Sequence, residues 1–287
     1  MIGPMSRDPA PPSLLRHIRG ADDFAAAFDV SRETIARLEL YERLLRHWQN
    51  AVNLVASGTL DDVWHRHFAD SAQLLALAPT ARTWVDLGSG AGFPGMVVAI
   101  LLADGIAPSP RTSRGEGRGE GQQHTPEQAA APHPSPLPIM PKACLRHDEE
   151  WGEGIEPPRV TLIESNARKC AFLQEVARQT GLGPGIAVDI LSTRIEAAAT
   201  QASLEAPGVV CARAVAPLDN LLRLAAPLFA AGTVGLFLKG RDAAAELKAA
   251  ERHWDFEADL VPSRTDPAAR VVAIRHLRAK MTAKTKE

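Results

Sequence analysis

The chain has 287 residues, of which 45% are apolar, and its formal net charge is −2. That length suits one large domain or two small ones with a sizeable core, and the near-neutral balance excludes a global basic field that would announce a nucleic-acid binder. The longest apolar run, Met96 to Ala103, is far too short to cross a bilayer, and no apolar signal region opens the sequence, so neither a membrane protein nor an exported one is expected.

Residues 1–30 begin with Pro4, Pro9, Pro11 and Pro12 and are expected to be a flexible N-terminus. Residues 31–80 read as a helical extension. Leu38, Leu44, Leu45 and Trp48 recur at helical spacing, and Ser31 with Thr34 supplies capping hydroxyls. From Thr83 the pattern changes. Trp84-Val85-Asp86-Leu87 is a short strand running into glycines, and Met96 to Ala103 is an apolar helix behind it.

Composition then breaks. Residues 105–158 hold 10 Pro and 7 Gly, with RGEGRGEG at Arg114 to Gly121, and nothing there offsets the entropy of ordering. The segment is expected to be a disordered surface insertion inside one domain. Gly115 to Gly119 can be encoded by the reverse complement of codons for Pro134 to Pro138, as expected of an inverted-repeat element that entered in frame; drift in a Pro/Gly-biased loop is the alternative.

Beyond it, Val160 to Glu164 reads as a strand and Ala167 to Gln179 as an amphipathic helix closed by Gly181. Ile186 to Ile190, Gly208 to Ala212 and Thr233 to Leu238 are further strands, and a helix from Leu218 to Phe229 is entered through Pro217. Phe256 to Val261 and Arg270 to Leu277 look like an antiparallel pair. Strands alternating with helices imply an α/β, Rossmann-like fold with a mostly parallel sheet covered on both faces, spanning residues 81–278 apart from the insertion. Residues 279–287 are a basic tail; Arg275 to Glu287 hold five Lys/Arg against one acid. Such a tail contacts phosphate or merely solubilises the terminus. Cys144, Cys170 and Cys211 lie far apart without a CxxC pair, which argues against a metal site or a disulfide framework and fits a reducing, cytoplasmic setting.

The chemistry gathers at Asp86-Leu87-Gly88-Ser89-Gly90-Ala91-Gly92-Phe93-Pro94-Gly95, a glycine loop from strand to helix. Without Cβ atoms the backbone turns tightly and approaches a ligand closely. From Gly90 the letters also spell GxGxxG, so the glycines alone leave a dinucleotide open. The carboxylate of Asp86 argues against a pyrophosphate and for S-adenosylmethionine, whose sulfonium and ammonium groups bring no phosphate. An acidic residue for the ribose is expected about 20 positions on, at the next strand end. Glu164 lies 78 residues after Asp86, and 24 once the 54-residue insertion is removed.

Several stretches resemble one family. They are WQNAVNL at Trp48 to Leu54, RHFADS at Arg66 to Ser71, the glycine loop with Phe93-Pro94-Gly95, RKCAFL at Arg168 to Leu173, Arg194-Ile195-Glu196, Ala212-Arg213-Ala214 and Leu238-Lys239-Gly240. From Tyr41 to Ala279 the chain resembles the bacterial small-subunit (16S) rRNA guanine-N7 methyltransferases, the glucose-inhibited division protein B family. The resemblance implies a Rossmann-like S-adenosylmethionine-dependent methyltransferase domain with a helical N-terminal extension. It implies methyl transfer to a guanine N7 in the decoding region of 16S rRNA, on naked rRNA or on the small ribosomal subunit. Carried over by position, the cofactor contacts fall on Gly88, Phe93, Ile195 with Glu196, and Arg213; Asp86, Gly90 and Glu164 complete the cofactor set, and Arg213 is the catalytic candidate.

Guanine N7 is a bare lone pair in the major groove. It needs no general base, so catalysis rests chiefly on alignment of nitrogen, methyl and sulfur. Arg213 is a candidate donor to guanine O6 or to the cofactor carboxylate, against a surface ion pair. His67 and Asp70 are a supporting pair, an RNA contact, or a helix-surface pair with no role. Lys169 and Lys239 are phosphate contacts or plain solvated charges. Cys211, in an apolar strand, reads as packing rather than as a nucleophile. A small-molecule methyltransferase and a non-catalytic ribosome-binding protein remain as alternatives.

Overall fold

A computed structural model describes residues 14–105, 156–183, 185–198, 204 and 206–280. Most of the expected insertion, and the tail beyond residue 280, lie outside the described residues, as do residues 1–13. A seven-stranded sheet has the order β3-β2-β1-β4-β5-β7-β6. Its strands are β1 (Thr83–Leu87), β2 (Arg159–Glu164), β3 (Ala187–Ser192), β4 (Val209–Arg213), β5 (Val234–Lys239), β6 (Trp254–Pro262) and β7 (Arg270–Ala279). The first five run parallel. β7 pairs antiparallel with both β5 and β6, which departs from the 3-2-1-4-5-6 order of dinucleotide-binding sheets.

Alternate strand residues face opposite layers, as the two-residue period demands. Trp84, Val160, Leu162, Val209, Cys211 and Leu236 join one core with α4 (Gly95–Ala103) and α5 (Ala167–Gln179). Val85, Leu87, Ile163, Val210, Ala212 and Phe237 join another with α7 (Leu218–Ala225) and α8 (Ala243–Ala250). α4 is buried on every side from Gly95 to Leu102, which is why its sequence is apolar all round and shows no amphipathic stripe. α5 starts at the Asn166 cap and ends before Gly181, whose φ is 60°.

The expectation of a flexible terminus through residue 30 is corrected for residues 14–30. Ala21–Phe28 is a helix, α1, because Phe24 and Phe28 bury their rings, Phe24 edge-on to Trp64. Leu15 and Ile18 are buried as well. The helical extension is also less uniform than its composition implies. α2 (Arg32–Gln49) starts at a Ser31 cap, whose hydroxyl accepts from Thr34 N. After a loop at 50–56 and a 3-10 turn at Ser57–Asp62, Trp64–Ala69 is a π-helix that passes through the short α3 (Asp70–Ala72) into another 3-10 turn, Gln73–Leu77.

Candidate active site

β1 leads to a neighbour on one side through β2 and on the other through β4, so the chain reverses its winding between β1 and β4. Open α/β sheets bind ligands at the carboxyl ends of strands where this happens. A cavity of about 780 Å³ lies there, lined by Gly88 to Ala91, Phe93, Lys169, Arg213 to Pro217 and Leu238 to Gly240. Its far wall comes from the helical extension (Leu54 to Ala56, Thr59, Arg66, His67, Asp70) and from the β6–β7 connection (Thr265, Asp266, Ala269).

The glycine loop is held from beneath. Gly88 has φ 66°, and a Cβ there would come within 2.9 Å of Val215 Cγ2, so the tight turn lets two cavity loops touch. Gly90 has φ 58°, and its missing Cβ would meet nothing nearer than Gly88 O at 3.8 Å, so bare backbone faces the cavity. Tyr41, the chain's one tyrosine, is fully buried and donates its hydroxyl to Ala91 O. Gly90 N donates to Glu164 Oε2 at 2.9 Å, and Asn166 N to Glu164 Oε1 at 2.7 Å. The Glu164 carboxylate thus ties the loop to the start of α5 with both oxygens and does not line the cavity.

Asp86 is not at the surface of the cavity either, which corrects the picture of a carboxylate facing the ligand. It is fully buried, and Oδ2 accepts from Gly95 N at 3.1 Å. Burial lifts its pKa to about 7, with hydrogen bonds from Ser89 and Gly95 and the charge of Arg213 pulling the other way. Its side chain occupies the position at a helix N-terminus where a bound phosphate would otherwise sit. Met96 N goes to Gly92 O at 2.8 Å. The first two donors of α4 are therefore engaged internally, which argues against a pyrophosphate more directly than charge repulsion across a cavity. Cys211 Sγ lies 3.9 Å from Asp86 Oδ1, and burial pushes its thiol well above the ordinary range. It is packing.

Arg213, the last residue of β4, does line the cavity. Its Nη1 donates to Arg66 O at 2.9 Å and lies 3.6 Å from Asp70 Oδ2, and its guanidinium sits 4.9 Å from the Phe93 ring centroid. Burial lowers the Arg213 pKa and raises that of Asp70, in each case outweighing the attraction between them. Ala214 follows with φ 55°, a left-handed turn that costs a non-glycine residue roughly 1–2 kcal/mol and brings Val215 against Gly88. Phe93 is stacked on His67, centroids 4.8 Å apart, and on Tyr41 at 5.4 Å.

His67 and Asp70 do not form a pair. Asp70 turns to Arg213 and accepts from Thr265 Oγ1 at 2.8 Å. His67 Nε2 lies 2.9 Å from Thr59 Oγ1, whose own proton goes to Ala56 O. The imidazole is therefore the Nε2–H tautomer, and its buried Nδ1 has no hydrogen-bond partner among the described residues. Burial, then Arg213 and Arg66, hold its pKa down to about 3. Lys239 is not free for a phosphate: Nζ donates to Ala216 O at 2.6 Å and to Glu246 Oε2 at 2.8 Å. The same Glu246 oxygen accepts from Leu218 N at 2.6 Å, so Lys239 at the end of β5 and Glu246 on α8 fasten the loop after β4 and the start of α7 between them. Ile195 and Glu196 open α6 (Ile195–Ala198) beyond β3 and do not line this cavity.

The model of a family described as rRNA small subunit methyltransferase G matches residues 34–105 and 152–269. A Ribosomal RNA small subunit methyltransferase G of Methylorubrum populi is 44% identical over 249 residues, covering 87% of this chain and 92% of the relative. Its counterpart in Parvibaculum lavamentivorans is 42% identical over 258 residues, 90% of this chain and 89% of that one. The chain belongs to the rRNA small subunit methyltransferase G family. Among solved structures, a methyltransferase from Geobacter sulfurreducens aligns over 92% of this chain and 99% of its own at a TM-score of 0.46 and 11% identity.

The stretches that carry the family likeness have separable duties in the cavity. The Trp48–Leu54 stretch works through Gln49, whose Oε1 accepts from Leu54 N and Val55 N, both at 3.1 Å, while Nε2 donates to Val55 O at 2.8 Å. One side chain shapes the loop that forms part of the far wall. Sequence reasoning missed Gln49, Tyr41, Thr59 and the Thr265–Asp266 segment as parts of the site. Tyr41 and Thr265 make contacts that cross the chain, to Ala91 and to Asp70, and Gln49 and Thr59 act on nearby loop backbone in a way no periodic spacing signals. Among the described residues no cluster of His, Cys, Asp or Glu is arranged to hold a metal, and no helix is long and apolar enough to cross a membrane.

Proposed function

We propose that this protein transfers a methyl group from S-adenosylmethionine to guanine N7 in the decoding region of 16S rRNA, in the cytoplasm. Arg213 carries the reading: it reaches the cavity from the end of β4, at the point where the sheet reverses its winding, one strand from the glycine loop. The cavity suits the cofactor in size, and bare backbone at Gly90 with no open helix N-terminus suits a ligand without phosphate. Gly88, Gly90, Phe93 and Arg213 would hold it within the cavity, and its nucleoside end would leave the cavity toward Ile195 and Glu196 beyond β3, with Glu164 acting through the Gly90 backbone it already holds. When bound, the cofactor supplies an electrophilic methyl on a sulfonium.

The chain's own residues then align and balance charge. Guanine N7 attacks without losing a proton, so the site needs no base, and His67, neutral above about pH 3, is not asked to be one. Methyl transfer moves positive charge onto the base. A lone arginine beside it would oppose that step, whereas Arg213 paired with Asp70 offers N–H donors with little net charge. Phe93 and Arg66 O fix the guanidinium plane, so its donors are aimed before substrate arrives.

The test uses labelled cofactor with undermethylated small subunits, naked 16S rRNA and a metabolite mixture, followed by mass spectrometry of the nucleosides. Label in 7-methylguanosine from subunits or rRNA is the expected result. Label in a small molecule alone, or none anywhere with the cofactor bound, overturns it.

A further inference from the structure

The cavity is lined by four lysine and arginine side chains, and three of them face a carboxylate. Arg213 lies 3.6 Å from Asp70, Lys239 2.8 Å from Glu246, and Arg66 3.9 Å from Asp266. The fourth, Lys169, has no carboxylate or hydrogen-bond partner for its ammonium among the described residues. We propose that Lys169 is a substrate-binding residue that takes a backbone phosphate of the RNA strand carrying the target guanine. This rests on the rRNA reading above.

Placement supports it. Lys169 stands on the first turn of α5, its backbone N–H fixed by the Asn166 side chain at 3.2 Å. That cap is tied to the glycine loop, because Glu164 accepts from both Asn166 N and Gly90 N. The stem is thus anchored to the cofactor loop while the ammonium reaches the cavity unpaired. α5 follows β2 and Arg213 ends β4, two strands away in the sheet, roughly 10 Å at the usual strand spacing. The cofactor offers a single carboxylate, whereas RNA offers a phosphate at every nucleotide. Lys169 is only partly buried and meets no counter-ion among the described residues, so an anionic substrate would supply the charge that this wall of the cavity lacks.

The experiment compares the wild-type chain with Lys169→Ala and Lys169→Arg. It measures affinity for naked 16S rRNA across a salt series, cofactor affinity by calorimetry, and methyl-transfer kinetics at saturating cofactor. Loss of one phosphate contact lowers the slope of log affinity against log salt by about 0.7–0.9, which is about five- to eight-fold in affinity near 0.1 M salt. The expected result for Lys169→Ala is that loss, appearing in KM for RNA with kcat little changed, unchanged cofactor affinity, and recovery in Lys169→Arg. An unchanged salt slope overturns the proposal, and so does a fall in cofactor affinity with RNA binding intact, which would assign the ammonium to the cofactor carboxylate. Should wild type show neither salt-dependent RNA binding nor methyl transfer, the rRNA reading itself fails and the proposal with it; methyl transfer by wild type with an unaltered variant sinks the Lys169 proposal alone.

Discussion

Two residues show how far burial changes what a side chain does. Arg213 is held by Arg66 O, Asp70 and the Phe93 face at once, a combination that needs a planar fork and an exposed π-like surface. Arg213→Ala should cut methyl transfer at least tenfold at saturating cofactor and RNA, and Arg213→Lys should recover only part, because an ammonium lacks the planar fork and the flat face that lies against Phe93. Turnover at the wild-type level in the alanine variant would make Arg213 a bystander. Asp86 runs opposite to most carboxylates. Its folded pKa, about 7, lies above the unfolded value near 4, so between those pH values the folded chain keeps a proton that the unfolded chain has lost. The stability this group contributes is full below about pH 4 and declines as pH rises to 7. Asp86→Asn keeps an acceptor for Gly95 N and removes the titration. The stability of wild type relative to that variant should fall by on the order of 2 kcal/mol from pH 5 to pH 8, measured by urea unfolding at both. A difference that stays flat would mean Asp86 does not titrate there.

At the level of elements, the parallel strands were readable because each is a short apolar run bounded by turn residues, and β1, β2, β4 and β5 lie within a residue or two of where that pattern puts them. What composition hides is tertiary. α1 was masked by the prolines before it, and its reason to fold is the packing of Phe24 and Phe28 under Trp64. α8, with the sequence AAAELKAA, has too little apolar contrast for a helical stripe to stand out. In the site, Gly90 at the cavity followed from the glycine loop after β1, whereas Gly88, Phe93 and Arg213 were named by the family resemblance and line the cavity as well. The duties of Asp86, Glu164 and Lys239 were not legible, since each depends on a partner brought by another strand or helix. Gln49 makes the same point within one loop. Its amide alone satisfies two backbone N–H groups and one carbonyl at the end of α2. Gln49→Ala should destabilise the fold by about 1–3 kcal/mol and reduce transfer more than cofactor binding, as the far wall slackens. Urea unfolding with parallel cofactor titration checks this, and a loss confined to cofactor affinity would overturn it.

For the whole molecule, the question is whether one contiguous fold survives the segment between α4 and β2. The family match stops at residue 105 and resumes at 152, so the family's shared core is complete without most of it. The described residues on either side lie near one another. Gly185, built with a Cβ, would come 3.5 Å from Ala103 O, and Ala187 N donates to Pro158 O at 2.8 Å. Both ends thus flank the same three residues, a stretch that spans at most about 11 Å when extended. A linker of about four Gly/Ser residues covers that gap. Glu156 should stay, because its carbonyl accepts from Arg82 Nη2 at 2.8 Å, so the deletion runs from 106 to 155. Shortening the connection slightly lowers the entropy of closing it. The deleted chain is therefore expected to melt within a few degrees of the full chain and to bind S-adenosylmethionine within about two-fold of it, the latter set by a glycine loop whose anchors, Tyr41, Asp86 and Glu164, all lie outside the cut. Thermal unfolding and calorimetry on the two proteins decide the matter. A deleted chain that fails to fold would show that the segment has become part of the core, and one that folds and binds cofactor but no longer methylates rRNA would give the segment a place in holding the substrate.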